Sequence, residues 1–165
     1  MGQLIRKPAE LSWEAAGSLY VVGVTAYVAV RAVSPQPGET VAVSAAAGGV
    51  GSLVVQLLAL REAAVLGIGG PDNADWLRDH GAVPIAYGAD FQGLAERLRE
   101  AAPDGIDAFI DLFGPDYIDL AVDLGVAIDF DIAATFPLEQ VADAFEVLER
   151  RHTDGKIVLV PNGSQ

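Results

Sequence analysis

Apolar residues along this chain fall into short unbroken runs, and stretches of helical period lie between the runs. Thr40 to Ser44, Ala64 to Ile68, Val83 to Tyr87, Ile106 to Leu112 and Val126 to Phe130 each read as a buried strand, and Lys156 to Val160 as a last one. Between the first two, Gly49 to Arg61 predicts a helix with Val50, Leu53, Val54, Leu57 and Leu58 on one face. Asp75 to His80 falls in a helix ended by Gly81, and Phe91 to Ala101 in one with a charged outer face. Pro137 starts a helix running to about Arg151, with Leu138, Val141, Phe145 and Leu148 along one side. Upstream, Met1 to Glu10 is a polar arm. Ser12 can cap a helix over about Trp13 to Val33, and Ser34 to Glu39 (SPQPGE) is a turn. Strands that are apolar throughout, alternating with helices, predict an α/β fold in one domain. Its sheet is doubly wound, mostly parallel and Rossmann-like, with helices on both faces. Ligands of such sheets bind at the carboxyl ends of the strands.

The carboxyl end of the first strand, Ser44, runs directly into Ala45-Ala46-Ala47-Gly48-Gly49-Val50-Gly51 and then into a helix. Ala46-x-Gly48-x-x-Gly51 matches the dinucleotide fingerprint, with Ala in the first glycine position. A small residue lets the chain reverse after the strand. Gly48 lets the backbone approach a pyrophosphate, and Gly51 lets the helix pack closely on the strand. Free N–H groups and the positive end of the helix dipole then face an anion. The competing reading is that small residues here serve tight packing alone.

Composition narrows the partners. The chain has 165 residues and a formal net charge of -13, which repels nucleic acid and anionic membranes. It has no cysteine, and its two histidines, His80 and His152, are far apart. Disulfides, thiol chemistry and a structural zinc are not expected. The uncharged run Ala15 to Val30 is shorter than the ~20 residues of a membrane span and contains Gly, Ser, Thr and Tyr, so a buried helix is expected. Glu10 and Glu14 argue against a signal peptide, and the chain is expected to be cytoplasmic. Asn162-Gly163-Ser164 matches a glycosylation sequon, which means little without secretion.

NAD sites place an acid at the end of the second strand; here stand Gly69, Gly70 and Pro71, with Asp72 late. That favours NADP, with Asn73 as a donor and Arg78 as the nearest cation. No GxSxG or Ser-His-Asp set with recognisable local motifs is present, and no catalytic residue is assigned. Asp111, Asp116, Asp119 and Asp123 read as acidic surface; Tyr20 and Tyr27 could donate protons, though buried structural tyrosines are the commoner case.

The bend, together with LSWEAAGSLYVVGVTAY (Leu11 to Tyr27), NADWLRDHGA (Asn73 to Ala82), GIDAFIDLFG (Gly105 to Gly114) and FPLEQVADAFEVLERRHTDGKIVLV (Phe136 to Val160), resembles the medium-chain dehydrogenase/reductase superfamily. The likeness is to its zinc-independent quinone oxidoreductase-like branch. That resemblance implies an NADP(H)-binding domain of a quinone or enone reductase that works by hydride transfer, with a small-molecule substrate. It implies that Gly48, Gly49, Val50 and Gly51 cradle the pyrophosphate, beside Ala46 of the fingerprint, and that Thr25 faces the nicotinamide side. Asn73 would lie near the adenosine ribose, Phe113 and Gly114 would line the cleft, and Lys156 would touch a phosphate. Family members carry a barrel-like catalytic domain before this region; the chain starts almost at the bridging helix, so a trimmed domain is expected. A homodimer through the apolar edge Ile157 to Val160 is also expected. The alternative is a cofactor-free descendant of the fold, acting as a small-molecule binding or cyclising scaffold.

Overall fold

The computed structural model describes residues 6–88, 92–114, 116–126, 132–149 and 156–161. The chain divides into two compact units, 1–127 and 128–165. The larger begins with α1 (Trp13–Val33), followed by β1 (Thr40–Val43), α2 (Gly51–Ala59), β2 (Ala64–Gly69), α3 (Ala74–Asp79) and β3 (Ala82–Ala86). Then come α4 (Gln92–Ala101), β4 (Ala108–Ile110) and α5 (Asp116–Asp123). The strands form one parallel sheet in the order β3-β2-β1-β4. The chain runs outward from β1 through β2 to β3 and then crosses back to β4, so the switch point lies between β1 and β4.

Successive β1 side chains alternate between two cores. Val41 and Val43 enter one with Ala26 and Val30 of α1, Val54, Val55 and Leu58 of α2, and Leu77 of α3. Ala42 enters the other with Leu66, Ile68 and Ile85, Leu94 and Leu98 of α4, and Tyr117 and Leu120 of α5. Both faces of the sheet are thus covered, which is why its strands carry no polar alternation.

Two expectations need correction here. The helix α1 begins as predicted, with Ser12 Oγ accepting the Ala15 amide at 3.1 Å. Only Ala26 and Val30 of α1 are buried, whereas Trp13, Val21 and Val28 are exposed, and so are Tyr20 (69 %) and Tyr27 (55 %). A narrow stripe on a helix that is apolar all round meets α2, and the rest of its circumference is open. By length and composition α1 would also pass for a membrane span. The second correction is α5, which was not predicted. Tyr117, Leu120 and Ala121 are buried at spacings of three and four, and Asp116 and Asp119 occupy the first turn, where the helix dipole favours acids. Its aspartates had been read as acidic surface alone.

The smaller unit holds β5 (Ile132–Pro137), α6 (Val141–Glu149) and β6 (Lys156–Val160), with β5 and β6 parallel. The helix expected from Pro137 begins instead at Val141, after a strand that ends on Pro137 and a short 3-10 turn at Leu138–Gln140. The predicted stripe Leu138, Val141, Phe145 and Leu148 is exposed, and Ala144 is the buried α6 residue. The strand predicted at Val126 to Phe130 lies, beyond Val126, outside the described residues.

Candidate functional site

The bend follows β1 as the fingerprint predicts. Ala45 takes a left-handed backbone conformation, φ 46°, and its carbonyl accepts the Gly48 amide at 2.8 Å. The Ala46 amide donates to the Ile68 carbonyl at 3.0 Å, which ties the bend to β2. A Cβ on Gly51 would stand 2.2 Å from the Ala45 carbonyl oxygen and 2.8 Å from the Ala46 Cα, and one on Gly48 would stand 3.1 Å from the same oxygen. The backbone fold of the bend therefore depends on Gly51 lacking a side chain, while at Gly48 a side chain would make one tight contact with that carbonyl. Among the described residues the amides of Gly49, Val50 and Gly51 find no backbone acceptor. Left-handed geometry costs an alanine roughly 1–2 kcal/mol and costs glycine little. Ala45→Gly is therefore expected to raise stability by about 0.5–1 kcal/mol, after glycine's entropy is offset, read as a higher urea midpoint.

Beside the bend opens a cavity of about 500 Å³. Ala45, Ala47 and Gly48 form its floor at the end of β1, and Gly69, Gly70 and Asn73 its wall at the end of β2. Tyr87, Gly88 and Leu94 close it beyond β3, and Phe113 and Tyr117 close it beyond β4. A Cβ on Gly70 would lie 3.0 Å from the Tyr87 hydroxyl and 3.6 Å from the Asn73 side-chain nitrogen, so both polar groups face the end of β2.

Ser44 and Asp111 join the carboxyl ends of β1 and β4. The buried Ser44 hydroxyl donates to Asp111 Oδ1 at 2.5 Å and accepts the Leu112 amide at 2.7 Å. The same carboxylate oxygen accepts the amides of Phe113 at 2.9 Å and Gly114 at 3.3 Å. This fixes the loop that presents Phe113, a residue that is 73 % exposed and whose ring meets that of Tyr117 edge-on at 5.7 Å. Burial, and after it the Asp111 carboxylate and Tyr87, push the Tyr117 phenol above its ordinary value of 10.0. A raised pKa means that the folded state holds this proton more tightly than the unfolded chain does. The resulting stability is present below pH 10 and is lost as pH rises through the folded value. Tyr117→Phe is expected to remove this alkaline loss, seen as a flatter stability curve above about pH 10 in urea titrations.

Of the predicted site residues, Gly48, Asn73 and Phe113 line the cavity. Ala46 is fully buried beneath it, and Gly49, Val50 and Gly51 continue the bend into α2. Gly114 belongs to the loop held by Asp111. Thr25 does not line the cavity; its hydroxyl donates to the Val21 carbonyl of its own helix at 2.8 Å. Lys156 opens β6 in the smaller unit. Arg78 is engaged by Asp75 at 2.7 Å. Tyr87, Tyr117 and the Ser44–Asp111 pair were missed. The signal for Tyr87 was its place just past a strand's carboxyl end, and for Tyr117 it was the helical spacing to Leu120 and Ala121.

A family model described as zinc-binding dehydrogenase matches residues 123–159. The chain is 38 % identical over 110 residues to prostaglandin reductase 1 of Bos taurus, a match covering 66 % of this chain and 33 % of that protein. It is 37 % identical over 106 residues to an NADP(+)-dependent 2-alkenal reductase of Nicotiana tabacum, covering 62 % and 31 %. The chain thus spans about a third of the length of these curated relatives. Among solved structures, CurA of Vibrio vulnificus in complex with NADPH is 26 % identical, with a TM-score of 0.61 and coverage of 96 % of this chain and 49 % of that one. The fold also matches JamJ enoyl reductase, with a TM-score of 0.64 at 22 % identity and coverage of 95 % and 65 %. With its bend, its sheet order and these relatives taken together, the chain is similar to the nucleotide-binding part of medium-chain dehydrogenase/reductase proteins.

Proposed function

We propose that this chain holds NADP(H) for a reductase that delivers hydride to an enone or quinone. The observation that carries this reading is the cavity at the carboxyl ends of β1, β2 and β4, open beside a bend that has no room for a side chain at Gly51 and little at Gly48. The free amides of Gly49, Val50 and Gly51 would hold the diphosphate, with Gly48 letting the backbone come close and the α2 dipole aiding. Asn73 and Tyr87 would face the adenosine ribose and its phosphate as neutral donors. No acid stands at the end of β2 to repel that phosphate, since Gly69 and Gly70 occupy the position. A bound dinucleotide would supply the hydride, and the chain's part is to fix its position and keep water from its apolar faces. The relatives whose names include NADP or NADPH support this choice of cofactor.

Calorimetric titration tests the reading. NADPH should bind with a Kd below about 1 mM, with affinity lost in Gly48→Val, and should be consumed when a 2-alkenal is added. Failure of both NADPH and NADH to bind at millimolar concentration would leave the cofactor-free scaffold as the better account. A homodimer through the Ile157 to Val160 edge belongs to the same reading. Light scattering at micromolar concentration should give twice the 17.2 kDa chain mass, and a monomer would contradict it.

A further inference from the structure

Helix α1 leaves an apolar stripe open along its length. Trp13, Gly17, Tyr20, Val24, Tyr27 and Arg31 follow one another at alternating steps of four and three residues, the period at which one helix lies along another. All of them are exposed, while Ala26 and Val30 on the other side enter the core. An exposed apolar stripe of this length marks a surface that meets a partner.

The chemistry of the stripe selects the occupant. The chain carries a net charge of -13, so two copies repel over most of their surface, yet between Glu14 and Arg31 the helix has no charge. Laid antiparallel, two copies of the stripe complement each other in size and charge. Tyr20 of one copy faces Val24 of the second, and Tyr27 faces Gly17, where a Cβ would meet nothing within 4 Å. Arg31 comes beside Trp13 and Glu14 of the second copy. Lys7 already lies over the Trp13 ring at 5.3 Å, which leaves the Glu14 carboxylate as the partner for Arg31. Among the described residues Arg31 makes no ion pair within its own chain. A parallel pairing would set Arg31 on Arg31 and leave a gap between the two copies of Gly17.

We propose that α1 is a self-association surface. Two chains pair through antiparallel α1 helices, with Tyr20 against Val24, Tyr27 against Gly17, and a Glu14–Arg31 pair at each end. This contact lies in the larger unit and the Ile157 to Val160 edge in the smaller, so the two are separate, and α1 pairing does not rest on the dinucleotide reading.

The chain has no cysteine, which permits a direct test. Tyr20→Cys and Val24→Cys chains are mixed in equal amounts and oxidised, and the disulfides are sorted by intact mass. Antiparallel pairing brings position 20 level with position 24 of the second copy, whereas two copies of position 20 stand about 6 Å apart along the axis, too far to bridge across the seam. The mixed disulfide is therefore expected in about fivefold or greater excess over either self-disulfide. Arg31→Glu in both chains should slow its formation about fivefold, and adding Glu14→Arg should restore it. These positions are all exposed, so the variants should keep their fold, checked by an unchanged urea midpoint. A mixture in the ratio of random collision, an excess of self-disulfides, no disulfide at all, or no rescue by Glu14→Arg would overturn the proposal.

Discussion

Replacing Gly51 with valine is expected to abolish nucleotide binding and to cost about 3 kcal/mol or more of folding stability. The cause is steric and local. The three atoms nearest to a Cβ at this position are all backbone: the Ala45 carbonyl oxygen at 2.2 Å, the Ala46 Cα at 2.8 Å and the Ala45 carbonyl carbon at 2.9 Å. No flexible side chain can swing aside to accommodate it, so the bend must open or α2 must move away from β1. Either movement disturbs Ala46, which is fully buried, and its amide bond to the Ile68 carbonyl. Gly48 is less constrained, with a single backbone contact at 3.1 Å. Gly48→Val should therefore lose binding while keeping most of the stability, and urea unfolding of the two variants beside the parent chain separates the effects. Equal stability of Gly51→Val and the parent would contradict the close packing of α2 on the bend.

The second large effect is expected at Asp111. Its Oδ1 accepts from the Ser44 hydroxyl and from the amides of Phe113 and Gly114, so Asp111→Ala leaves three donors without their acceptor. One of them, Ser44, is fully buried. Hydrogen bonds to a charged acceptor are worth about 1.5–3 kcal/mol each, and the amides can turn partly to water; the expected cost is about 2–4 kcal/mol. Asp111→Asn keeps an oxygen in place and should recover about half of that loss. Chemical denaturation measures both variants, and a change below about 0.5 kcal/mol in Asp111→Ala would mean that the pair does not brace the β1 and β4 ends.

Much of this arrangement was legible in the sequence because it rests on local rules. Val41 to Val43, Val65 to Ile68 and the helix after the bend follow from apolar runs and helical spacing, and the bend follows from small residues between a strand and a helix. Residues chosen by backbone geometry, such as Gly48 and Gly51, were found for that reason. Residues whose place depends on chain crossing were not. Tyr87 and Tyr117 are 30 positions apart and meet around one cavity only because β3 and β4 end on the same rim. Ser44 and Asp111, 67 positions apart, meet because β1 and β4 are neighbours across the switch point. Thr25, assigned to the site by resemblance, has its hydroxyl bonded to the Val21 carbonyl of its own helix. The exposure of Tyr20 and Tyr27 was invisible to patterning, since an apolar helix reads as buried whether or not a neighbour covers it.

The central claim is that the bend's amides receive a diphosphate, and amide chemical shifts test it most directly. In a nitrogen-15 labelled sample titrated with NADPH, the amides of Gly49, Val50 and Gly51 should show the largest shifts, with those of Asn73, Tyr87 and Phe113 moving at the same midpoint. Saturable NADPH binding that leaves the three bend amides unmoved would contradict the account.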